Sequence, residues 1–129
     1  MTIRSYADLV AWQKAVRLAM NVYRVSVALP REEQYGLTAQ MRRASVSVAA
    51  NIAEGHGRRT DGECLNQLSV AYGSLCELET HLILSERLGL LEETTVRAVL
   101  GEAAEVGRLV NGLMRSISEG RRERSLADR

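Results

Sequence analysis

At 129 residues, with 46% hydrophobic and 26% charged residues, the chain has the composition of a soluble globular protein and the length of a single domain with a real core. No apolar run approaches the roughly 20 residues that span a bilayer, and the opening MTIRSYADLVAW lacks the apolar core and cleavage site of a signal peptide, so a cytoplasmic location without a membrane partner is expected. The net charge of +1 singles out no partner, but its spread is uneven: residues 1–59 carry a net +5, residues 60–120 a net −6 and residues 121–129 a net +2. Sixteen of the seventeen basic residues are arginine, which suits planar contacts with phosphate or carboxylate. Such a division fits complementary charge between helices or subunits, or a basic face for nucleic acid.

Phe is absent, Pro occurs once, and the apolar period is helical nearly throughout. The first helix is expected from about Tyr6 to Ala28. Ser5 and Asp8 resemble a capping box at its start, and Leu9, Trp12, Val16, Ala19 and Tyr23 form its core stripe. Pro30 ends it, because proline disfavours helical geometry in the residue before it. The second helix spans about Gly36 to His56, with Gly55 and Gly57 as the stop. Its small residues Ser45, Ser47, Ala49, Ala50 and Ala53 let another helix come close.

The third helix opens at Thr60, where Thr60 and Glu63 form a T-x-x-E capping box, and runs to about Leu88 with Gly89 as its cap. Its wide apolar face includes Cys64, Leu65, Leu68, Ala71, Tyr72, Leu75, Leu78 and Leu82. Gly73 costs about 1 kcal/mol against Ala in a helix interior, which points to a close backbone crossing there. Cys64 and Cys76 lie roughly 18 Å apart on this helix, too far for a disulfide, and are read as buried structural thiols. The fourth helix spans about Glu92 to Glu119. Val96, Val99, Ala103, Val106, Val110, Leu113 and Ile117 repeat in steps of three and four, the seam of a bundle helix.

Four such helices with short connectors predict an all-α fold: an antiparallel, up-down-up-down four-helix bundle over residues 1–120. Residues 121–129 read as a disordered basic tail.

No motif for catalysis stands out, and the chain is read as non-enzymatic. Di-iron bundles need Glu-x-x-His pairs, but the residues three before His56 and His81 are Ala53 and Leu78. Glu77 and His81 could share a face as a solvated pair. The cysteines lack zinc-site spacing, and there is neither a nucleophile elbow nor a phosphate loop, so no catalytic, metal or cofactor site is expected.

One constellation remains. Gln40, Arg43, Ser47, Asn51, Glu54 and Arg58 recur at helical spacing on the second helix. The row reads as structural specificity within the bundle or between subunits, where an Arg–Glu pair with Ser and Asn partners satisfies its own hydrogen bonds. Arg42 beside it, and Arg58 and Arg59 at its exit, are the candidate nucleic-acid contacts, since phosphate binding needs only accessible charge.

Several segments together resemble the four-helix-bundle proteins encoded in 23S ribosomal RNA intervening sequences, to which the accessory variability proteins of retroelements are related. They are Asp8-Leu9, Trp12-Gln13-Lys14-Ala15, Val22-Tyr23, Pro30, Glu33, Tyr35-Gly36-Leu37 and Gln40 with Arg43-Ala44. Ser47, Asn51-Ile52-Ala53-Glu54-Gly55, Gly57-Arg58, Ala71, Gly73-Ser74-Leu75 and Glu77-Leu78-Glu79 complete the set. The chain departs from the family pattern at Ala49, where Pro is usual, and at His56, where an aromatic is. The resemblance implies a four-helix bundle in a homopentameric ring. For the retroelement relatives it implies a basic, non-catalytic surface that binds RNA or DNA and a reverse transcriptase. A protein-binding scaffold or accessory subunit is the alternative reading.

Overall fold

The computed structural model describes residues 5–128. Four helices fill most of that span: α1 (Val10–Ser26), α2 (Leu37–His56), α3 (Asp61–Arg87) and α4 (Glu93–Ala127). Short 3-10 turns precede α1 (Tyr6–Asp8) and α2 (Arg31–Glu33). Each helix packs on its neighbours in the chain, and α1 also packs on α4, which closes the four into a bundle. The expected all-α four-helix bundle is therefore what forms. Its most extensive contact is between α2 and α3.

The helix boundaries follow local chemistry. The Ser5–Asp8 capping box is present, with Ser5 Oγ accepting from Ala7 N–H and the Asp8 carboxylate accepting from Ser5 N–H. It caps the 3-10 turn, however, and α1 itself starts two residues later at Val10. Leu9 is extended between them. Glu33 caps α2, its Oε1 accepting from Leu37 N–H at 3.0 Å. That carboxylate occupies the space that a Cβ on Gly36 would need. Thr60 Oγ1 accepts from Glu63 N–H at 3.1 Å and starts α3. Gly89, at φ +75°, turns the chain out of α3, and Ser85 O accepts from both Leu90 N–H and Leu91 N–H. Only glycine adopts that left-handed geometry without a steric penalty.

The core is built from Ala11, Ala15, Leu18 and Val22 of α1, Met41, Ala44, Val48 and Ile52 of α2, Leu68, Ala71, Leu75, Leu78 and Leu82 of α3, and Val96, Val99, Ala103, Val106 and Val110 of α4. The α4 seam is as expected, with Leu113 and Ile117 half-buried at its end. The α1 stripe differs. Leu9, Trp12 and Val16 only flank the core, and Tyr23 is exposed. The apolar surface of α1 is wider than the core it feeds, so the inward side goes to the small and aliphatic residues that let α2 and α4 approach.

Three further expectations are corrected. Gly55 does not stop α2; it is buried inside the helix, and Gly57 is the cap. A Cβ at Gly55 would lie 3.3 Å from Gln67 Cβ and 3.4 Å from Cys64 O. The close backbone crossing is therefore at Gly55, where α2 meets α3, and Gly73 has no atom within 4 Å of the corresponding position. Cys76 is exposed and Cys64 only half-buried; both are free thiols. Finally, α4 runs past Gly120 to Ala127, so residues 121–127 are helical where a disordered tail was expected. Arg124 pairs there with Asp61 at the start of α3, a tertiary contact that no local pattern announces.

α1 and α4 are tied by polar contacts. Lys14 Nζ lies 2.8 Å from Glu105 Oε1, and Asn21 Nδ2 donates to Glu102 Oε2 at 2.7 Å. The hydrogen bond and charge of Lys14, helped by Arg108 and Arg17, hold the Glu105 carboxyl below its ordinary range. A depressed carboxylate pKa adds stability above the unfolded value, and that stability is lost as pH falls through the folded one. Lys14→Ala should thus raise the Glu105 pKa towards its ordinary range, and an NMR pH titration of the carboxyl reads it directly. Gly55→Leu should destabilise the fold by about 1–3 kcal/mol through overpacking. Gly101→Ala, whose new methyl meets nothing within 4 Å, should stabilise it by up to about 1 kcal/mol. Urea denaturation followed by circular dichroism distinguishes the two signs.

Candidate functional site

The three candidate nucleic-acid contacts fall into two different environments. Arg42 Nε donates to Ser26 Oγ at 2.8 Å and Nη2 to Tyr23 O at 3.3 Å. Its guanidinium stands 4.7 Å from the centroid of the Tyr23 ring. Ser26 is buried, and its hydroxyl donates in turn to Tyr23 O at 3.1 Å. Arg42 is thus committed to the C-terminal end of α1, where a cation complements the negative end of the helix dipole and the ring face adds a cation–π attraction. Nothing but the spacing of two separate helices sets this contact, so no motif in the sequence marks it.

Arg58 and Arg59 are different. Both are exposed in the turn between α2 and α3, and among the described residues neither guanidinium makes a hydrogen bond or ion pair. Their donors face solvent just ahead of the N-terminus of α3. The last turns of α4 come to the same place: Arg124 pairs with Asp61, and Arg121 Nη1 lies 3.6 Å from where a Cβ on Gly62 would be. Charge here is balanced, because Glu63, Glu119 and Glu123 accompany the arginines. The turn offers unpaired guanidinium groups rather than a strong local field.

The polar row on α2 is drawn together only in part. Ser47 Oγ and Ser74 Oγ share a hydrogen bond of 2.8 Å that joins α2 to α3. Asn51 Nδ2 donates back to Ser47 O at 2.8 Å and to Ser47 Oγ at 3.0 Å. Arg43 Nη1 donates to Gln40 Oε1 at 3.3 Å on the surface. The expected Arg–Glu pair does not form: Glu54 and Arg58 are exposed, and no ion pair joins Glu54 to Arg43 or Arg58. The row is a helix-to-helix serine contact with solvated ends.

Sequence reasoning missed an apolar surface groove. Trp12, Val16, Ala19, Met20 and Tyr23 of α1 and Val46, Ala49 and Ala50 of α2 line an open apolar groove of about 650 Å³, with Arg24 at its edge. Met20 is 50% exposed, Tyr23 45% and Val46 46%, so three large apolar side chains of one groove stand in water. Arg42 holds Tyr23 on one wall, and Tyr6 lies edge-on to Trp12 with ring centroids 5.1 Å apart. The signal was present in the α1 stripe Trp12, Val16, Ala19 and Tyr23, read there as core.

The thiols and imidazoles make no comparable site. Cys64 and His56 line a small apolar cleft with Leu9, Ile52, Leu68, Leu113 and Ile117. Burial pushes the Cys64 thiol up from its ordinary pKa, which disfavours the nucleophilic thiolate. Glu77 and His81 do share a face, 3.4 Å apart. Among the described residues, no three His, Cys, Asp or Glu side chains are grouped to hold a metal ion, and no helix is long and apolar enough to cross a membrane.

Comparison with known proteins places this geometry in a family. Among similar solved structures is a protein of unknown function from the S23 ribosomal protein family of Bacteroides thetaiotaomicron. It is 21% identical, with a TM-score of 0.76 over 81% of this chain and 98% of that one, and the likeness supports the bundle fold. No curated protein matches. The family profile described as 23S rRNA-intervening sequence protein matches residues 7–112, which covers all of α1, α2 and α3 and over half of α4. The chain belongs to the family of 23S rRNA-intervening sequence proteins.

Proposed function

We propose that this protein is a non-enzymatic, cytoplasmic bundle that assembles with copies of itself and binds RNA or DNA through Arg58 and Arg59. The observation that carries the nucleic-acid contact is the state of those two side chains: exposed, adjacent, and without a partner among the described residues. Arg42 is set aside as a contact in this reading, because two of its five N–H donors and its ring contact already hold it against Ser26 and Tyr23. Assembly is supported by the apolar groove between α1 and α2, which leaves Met20, Tyr23 and Val46 in water, and a pentamer is the first stoichiometry to test. The same groove favours a second reading, an accessory subunit or scaffold for another protein such as a reverse transcriptase. A stoichiometric partner in a pull-down, with no nucleic acid retained after nuclease treatment, supports that second reading.

The test is a filter-binding titration with structured RNA and duplex DNA over a range of salt. Each phosphate contact contributes about 0.7–0.9 to the slope of log affinity against log salt. Arg58→Ala with Arg59→Ala should lower the slope by about 1.4–1.8, and absence of any salt-sensitive binding by the unaltered protein sinks the reading. Arg42→Ala should leave the slope unchanged while lowering stability by about 1–3 kcal/mol, measured by urea denaturation.

A further inference from the structure

We propose that the α1–α2 groove of one copy receives the outer strip of α3 from a second copy, so that the contact is head-to-tail. This rests on the self-assembly proposed above and adds which surfaces meet.

The groove is shaped for a helix. Ala19, Ala49 and Ala50 line it, small enough for a backbone to come close, together with Trp12, Met20 and Val46. The charges at the groove are basic: Arg24 lines it and Arg42 stands against Tyr23, whereas Lys14 and Arg17 face α4 beside Glu102 and Glu105. Those along the outer side of α3 are acidic, Glu63 and Glu77.

α3 also has the matching shape. Val70, Gly73, Glu77, Leu84 and Leu88 follow at steps of three, four, seven and four, which puts them along one side of the helix. All five are exposed, and Leu88 is 57% so. Gly73, in mid-strip, costs helix stability yet has nothing within 4 Å of a Cβ position. Within one chain that glycine serves no crossing. Laid in the groove of a second copy, it brings the α3 backbone against the alanines that line it. Val70, Leu84 and Leu88 then cover the apolar walls, and Glu77 and Glu63 come within the field of Arg24 and Arg42.

The groove and the strip belong to different helices, so each pairing leaves one groove and one strip free. Such contacts propagate until a ring closes or a filament grows.

Two single variants test the pairing by light scattering at micromolar concentration. Met20→Glu spoils the groove and Leu84→Arg spoils the strip; both positions are exposed, so the core is untouched, and circular dichroism verifies the fold. Each variant alone should lose the oligomer mass and run as a monomer. An equimolar mixture should recover a 1:1 dimer, because one partner keeps an intact strip and the other an intact groove. If either variant fails to fold, Val46→Lys and Leu88→Lys replace the pair with the same expected pattern. An oligomer mass unchanged by Leu84→Arg, as a groove-to-groove contact or a different occupant of the groove gives, overturns the pairing and leaves self-assembly standing. So does a mixture that stays monomeric while the unaltered protein is oligomeric. A monomer mass for the unaltered protein overturns the self-assembly reading itself.

Discussion

Where α2 crosses α3 the helices approach closely at Gly55: a Cβ there would stand 3.3 Å from Gln67 Cβ and 3.4 Å from the Cys64 carbonyl oxygen, at the tight end of side-chain contacts. This approach governs much of the bundle. It sets Ser47 against Ser74 for a direct hydrogen bond, and it makes α2–α3 the most extensive helix pair. Gly107 makes a second close approach on the other side, with the Leu75 side chain 3.2 Å from its Cβ position. Closely packed interiors transmit such constraints, because a core at crystal-like density has little slack.

The same closeness explains what is left outside. With α2 and α4 drawn in, α1 presents Ala11, Ala15, Leu18 and Val22 to the core and keeps Trp12, Met20 and Tyr23 at the surface. Contiguous exposed apolar surface of this kind marks an interaction site more often than an accident of packing. Arg42 belongs to this feature, since its hydrogen bonds and ring contact fix the end of α1 and one wall of the groove. The side chain named as a phosphate contact also supports an apolar surface.

The candidate site was legible only where it depended on local order. Arg58 and Arg59 sit in the turn that Gly57 and Thr60 announce, and their exposure follows from that turn. The fate of Arg42 was not legible, because Ser26 lies sixteen residues away on another helix and no periodicity relates the two. The polar row on α2 was visible as a row, but whether Arg43 met Glu54 or Gln40 depended on rotamers at a solvated edge. There the competing pairs differ by little energy.

Taken by itself, the sequence determined the local terms: four helices from their apolar period, the Ser5–Asp8 and Thr60 caps from side-chain chemistry, the Gly89 turn, and the valine seam of α4. These depend on neighbours within about one helical turn, which the order of residues specifies directly. Tertiary structure decided the rest: which half of the α1 apolar surface is core, which glycine carries the close crossing, whether Cys76 is covered, and that the arginine-rich end of α4 stays helical beside Asp61. Each of these compares surfaces on different helices. A helix apolar over more than half its circumference can bury either side at similar local cost, and only the fit against its neighbours separates core from groove.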